Sequence, residues 1–120
     1  MSTDEIQTTL AEHWASLDDA AQRALERRLV ALGGACLNSI KTVALDRSVE
    51  INTRKAAVCC IAAFGGDETA SFLAGNFVIG KNPGALYDAF ENGDLSGAYP
   101  LLMTAKCCLE KMGYEVRLTE

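Results

Sequence analysis

Most signatures that would name a chemistry are missing from this chain. No apolar run approaches the roughly 20 residues that a membrane span needs. The start, Met1-Ser2-Thr3-Asp4-Glu5, is acidic and has no basic and then apolar signal region. No phosphate-loop pattern, neither G-x-x-x-x-G-K-S/T nor G-x-G-x-x-G, occurs. No Glu-x-x-His occurs, which a di-metal carboxylate bundle would want. His13 is the one histidine. The five cysteines are an odd number, and two pairs are adjacent in sequence. Neighbouring cysteines rarely bridge each other, so this is no secreted disulfide framework. Their spacing is also wrong for zinc, which prefers two to four residues between cysteines. These absences predict a cytoplasmic protein with no membrane segment, no cofactor, no metal and no catalytic set.

Aromatic residues are few, at 7%, and alanine is abundant, which favours closely packed helices over a sheet. Hydrophobic content is 49% and charged content 22%, as in an ordinary folded chain. One domain over 1–113 is expected, with 114–120 as an extended tail. One pattern occurs twice. Residues 55–65 and 103–113 share small-x-Cys-Cys-apolar-x-x-apolar-Gly, and 25–33 carries a fainter copy. Each reads as a helix that buries one stripe and stops at glycine. The recurrence of cysteine suggests a small core residue in a repeated niche.

Helix signals fill most of the chain. Ser2-Thr3-Asp4-Glu5 looks like a capping box ahead of Ile6, Leu10, Trp14 and Leu17. Asp18 and Asp19 suit the positive end of a second helix, with Ala21, Leu25, Leu29 and Leu32 inward. A third helix is predicted near 35–46, with Leu37, Ile40, Val43 and Ala44 inward. A fourth, near 53–64, is capped by Asn52 or Thr53. It is apolar nearly all round after Lys55, which places it at the centre of the domain. Asp67 caps a fifth, with Phe72, Leu73 and Phe77 inward. A short sixth is expected near 84–91, and a last one near 96–112 with Leu101, Leu102, Ala105, Cys108, Leu109 and Met112 inward. Short loops make consecutive helices antiparallel neighbours. The fold class is all-α: about six or seven helices in antiparallel hairpins, as a short stack or an irregular bundle.

The stretch Ala35 to Leu73 resembles a HEAT repeat. Asp46, Ile51, Arg54, Ala56, Ala57, Ile61, Phe64 and Gly65 fill the pattern of that family's second helix and the turn before it. The glycine stops at 33, 65 and 113 are unevenly spaced, and Thr104 stands where the arginine would be in the last copy. The resemblance implies a scaffold that binds another protein along its second helices, here 18–33, 53–64 and 96–112. Some members of that repeat class handle tetrapyrroles or other small molecules, and Trp14, Tyr87, Tyr99 and Tyr114 with nearby cysteines could line such a site.

Charge gives the binding expectation its direction. The net charge is −5, yet it is uneven. Residues 1–20 carry five acids and no base, while 21–60 carry seven bases and three acids. Arg23, Arg27, Arg28, Arg54 and Lys55 are the expected partner-binding residues, and an acidic patch on a protein is the expected partner. Nucleic acid is a poor fit, because acidic regions flank the basic segment and phosphate binding needs many basic contacts. The rather apolar last helix also suggests a homodimer, since terminal helices of a stack need a polar outer face. The function expected is a non-enzymatic interaction module, either an adaptor or a cognate inhibitor of the immunity-protein kind. The alternative is a helical small-molecule-binding or lyase-like protein. His13, beside Trp14, has no obvious acid and nucleophile set.

Overall fold

Glycine punctuates this chain where the sequence pattern asks for it. Gly65 has φ 69° and ψ −178°, a conformation open essentially to glycine alone, and it ends one helix just ahead of the next. Gly113 has φ 97°. Around it the Tyr114 amide donates to the Leu109 carbonyl and the Gly113 amide donates to that of Glu110, which closes the final helix in a Schellman motif. The structure, a computed structural model, describes residues 3–15, 18–46, 48–78 and 95–114.

Six helices account for nearly all of the described residues. They are α1 (Thr3–Ala15), α2 (Asp19–Ala31), α3 (Gly34–Leu45), α4 (Ile51–Phe64), α5 (Asp67–Leu73) and α6 (Leu95–Lys111). A single π-helical turn, Ala74–Val78, continues α5. No described residue lies in a strand. The helix predicted at 84–91, the loop Gly80–Gly84 and the tail beyond Tyr114 lie outside the described residues.

The expected central helix is central. α4 touches each of the other five helices. Ala56, Ala57, Val58, Cys60 and Ile61 on it are wholly buried. Its small side chains allow neighbours close on several sides. Around it lie Ile6 and Leu10 of α1, Ile40 and Val43 of α3, Leu73 of α5, and Leu101, Ala105 and Leu109 of α6. α1 packs on α3 and α4 as well as on its own neighbour α2. No described helix is long and apolar enough to cross a membrane.

Several local expectations change. The cap of α4 is Glu50, not Asn52 or Thr53; its carboxylate accepts from the Thr53 amide, and the helix starts two residues early. Gly66 precedes α5, and Asp67 is its first helical residue. Asp18 caps α2, accepting from the Ala20 amide at 2.9 Å. α2 nonetheless buries little of its expected stripe. Leu29 is buried and Leu25 half-buried, but Ala21 is exposed and Leu32 is 53% exposed. α2 lies at the edge of the bundle, and its other buried side chain is Glu26.

Candidate functional site

Three helices that lie next to one another open a cleft. α4 packs on α2 to one side and on α6 to the other. Each contributes residues at helical spacing: Arg23, Glu26, Arg27 and Val30 from α2; Cys59, Ala62 and Ala63 from α4; Cys108, Lys111 and Met112 from α6. Residues three and four apart share one face of a helix, so each set is a single stripe. The space between them holds about 450 Å³. Small side chains on α4 make this room, because Ala62 and Ala63 do not fill the gap between the flanking helices.

One wall of the cleft is ionic. The Arg23 Nε donates to a Glu26 carboxylate oxygen at 2.7 Å. Glu26 is nearly buried, whereas the Arg23 side chain is half exposed. The other Glu26 oxygen faces His13 Nε2 at 3.6 Å, too far for a hydrogen bond. His13 is only 3% exposed, and neither ring nitrogen has a hydrogen-bond partner. Burial pushes the His13 pKa down; the Glu26 carboxylate pulls it up without cancelling that effect. The acid that sequence alone did not pair with His13 is therefore Glu26. Distance along the chain concealed the pair, since α1 and α2 bring it together only by packing.

The floor carries two thiols. Cys59 of α4 and Cys108 of α6 are both half-buried and line the same cleft. Cys60 is fully buried, and burial pushes its thiol well up. Cys107 points outward and is exposed. The repeated niche expected for the cysteines is thus not one niche. Cys60 and Cys108 occupy equivalent positions in the pattern, but the first lies in the core and the second in the cleft. No cluster of three or more His, Cys, Asp or Glu side chains suited to a metal ion occurs among the described residues.

The expected partner-binding residues divide. Arg23 and Arg27 line the cleft. Arg28 sits about 100° further round α2 and lines a separate groove with Thr9, Leu25 and Leu32. Lys55 is half-buried near the start of α4 and outside the cleft. Arg54 lies away from the cleft lining. It is buried, and its Nε donates to the Ala44 carbonyl at 3.0 Å. Ala44 belongs to the last turn of α3, where carbonyls lack helical partners and the helix end is negative. Burial and this bond assign Arg54 to tying α4 to the end of α3. Lys111, near the end of α6, is a further cation lining the cleft.

Of the aromatic residues expected around a small-molecule site, Tyr114 is elsewhere. Its hydroxyl donates to an Asp67 carboxylate oxygen at 2.6 Å, tying the end of α6 to the start of α5. Nothing is described of the Trp14 and Tyr99 side chains, and Tyr87 lies outside the described residues.

Fold and cleft together define the class: an all-α bundle with one mixed ionic and thiol-bearing cleft between its second, fourth and sixth helices. No protein-family model, curated protein or solved structure matches the chain.

Proposed function

We propose that this chain is a non-enzymatic interaction module that receives an acidic segment of a protein partner in the α2/α4/α6 cleft. The arrangement that supports this reading is the cleft itself. Arg23 and Arg27 stand on one side of an apolar floor and Lys111 on the other. Arg27 and Lys111 are exposed, so they can meet carboxylates at the rim while apolar side chains reach Val30, Ala62 and Met112. We read the three successive helix pairs as HEAT-like hairpins whose second helices present this face. Such a small module acts as an adaptor or as the cognate inhibitor of one protein. A net charge of −5, with acidic stretches on both sides of the basic segment, argues against nucleic acid as the partner, because phosphate binding needs many basic contacts.

The test is capture from the host lysate at low and high salt by two tagged proteins, the native chain and the Arg27→Glu, Lys111→Glu double variant. One dominant partner on the native chain that thins as salt rises is expected. The double variant should bind it about tenfold more weakly or worse while its circular dichroism stays helical. Equal capture by both proteins would remove the cleft from the account.

A second reading has one observation in its favour. The cleft volume of about 450 Å³ falls in the range of about 300–1,000 Å³ typical of small-molecule sites. A coloured purified protein, with the double variant indifferent in lysate capture, would favour that reading.

A further inference from the structure

The thiols on the cleft floor differ from the other cysteines in place and in state. Cys59 and Cys108 come from two helices that pack on each other, and both border the same open space. Cys36 and Cys60 are buried, and burial raises both thiols. Inert core cysteines have this character. The neighbouring Cys108 pulls the Cys59 pKa down, and Arg23 and Lys111 add to this, against burial and the Glu26 carboxylate. Cys108 is pushed up by Cys59 and by burial. Of the two cleft thiols, Cys59 is thus the one that gives up its proton more readily.

We propose that Cys59 and Cys108 form a peroxide-reactive dithiol, in which Cys59 is the attacking sulfur and Cys108 the resolving one. This inference goes beyond the binding reading and does not rest on it. The Cys59 thiolate attacks one oxygen of hydrogen peroxide, and the O–O bond breaks. The departing hydroxide takes up the proton that Cys59 gave up and leaves as water. Cys59 is then a sulfenic acid, oxidised by two electrons, and the peroxide is reduced by two. The Cys108 sulfur next attacks the sulfenic sulfur. The S–O bond breaks, the hydroxide leaves as a second water with the Cys108 proton, and an S–S bond forms. Two thiols and one peroxide become one disulfide and two waters. The bridge ties α4 to α6 across the cleft floor, and thiol reductants reverse it.

The geometry favours this pairing over the alternatives. Cys60 is adjacent to Cys59 but points into the core, and Cys107 is adjacent to Cys108 but points to solvent. Cys36 is in the core on α3. Among the described residues, Cys108 is therefore the thiol placed to resolve Cys59.

The experiment uses the full chain, reduced, freed of reductant and treated with one equivalent of hydrogen peroxide. Mass spectrometry of the intact monomer and of its unreduced peptides reads the result. Expected are loss of the mass of two hydrogens from the monomer and a peptide pair joined through Cys59 and Cys108, with Cys36 and Cys60 still reduced. In a Cys108→Ser variant the sulfenic acid persists, and a sulfenic-specific diketone reagent labels Cys59. A monomer that stays fully reduced while Cys107-linked dimers accumulate would overturn the proposal. So would diketone labelling confined to Cys107.

Discussion

Arg54 and His13 are buried polar side chains that the fold treats in opposite ways. Arg54 has an acceptor: its Nε meets the Ala44 carbonyl at 3.0 Å at the end of α3. Replacing it with alanine leaves that carbonyl unpaired in the interior. A loss of about 2 kcal/mol is expected for Arg54→Ala, the scale of a buried bond to a charged donor. The urea unfolding midpoint measures it, and an unchanged midpoint would return Arg54 to the surface. His13 has no such acceptor. Burial lowers its pKa in the fold, while the unfolded chain keeps the ordinary value of 6.5. Between those two values the unfolded chain binds more protons, so stability rises with pH. The His13 contribution is complete above about pH 6.5 and is lost as pH falls through that value toward the folded pKa. Unfolding midpoints at about pH 7.5 and about pH 5.5 should show lower stability in acid, and His13→Gln should flatten the difference. An equally steep dependence in the variant would place the titration elsewhere. The sequence marked Arg54 as charged and His13 as solitary. It could not show that one lies beneath the end of α3 and the other against Glu26, because both facts depend on how separate helices cross.

The elements were the most legible part of this protein, and glycine and alanine explain why. A helix stop at glycine is a local property of the backbone, so the ends at Gly33, Gly65 and Gly113 could be read without any tertiary contact. Gly65→Ala forces a side chain into a conformation that only glycine adopts readily, and should cost about 2 kcal/mol. The space around its missing Cβ is open, so the loss isolates backbone strain from crowding. Thermal unfolding of this variant checks the assignment; a neutral result would mean that the α4–α5 turn relaxes. Within α4, Ile61→Ala should cost about 3 kcal/mol, because it removes a wholly buried side chain from the helix that touches all the others. Leu32→Ala on the exposed edge of α2 should change stability by less than about 0.5 kcal/mol. Equal losses at the two positions would contradict the central placing of α4. The stripe of α2 was read wrongly because apolar spacing describes a helix that faces a core, and α2 lies at the edge, where Glu26 takes an inward position. The π-helical turn after α5 left no mark in the spacing either.

At the scale of the whole molecule, the uneven charge of an acidic chain gains a location. The sequence concentrates bases in 21–60, but packing sorts them: Arg23 and Arg27 line the cleft, Arg28 turns to the α1 side of α2, Arg54 is consumed inside, and Lys111 arrives from the last helix. Sequence position alone does not say which of these bases meet, because a one-residue change of position turns a side chain about 100° around a helix. The same rotation separates Cys108 from Cys107 and makes them useful together: one thiol lies in the cleft and the other outside it.

That pair allows a direct measurement of whether a partner occupies the cleft. The complex captured from lysate and the free chain are each alkylated under reducing conditions, and the labelling rates of Cys59, Cys107 and Cys108 are compared. The account predicts that the partner slows labelling at Cys59 and Cys108 while exposed Cys107 reacts at its free rate. Unchanged rates at Cys59 and Cys108 in the complex would contradict it and place the binding surface elsewhere on the bundle.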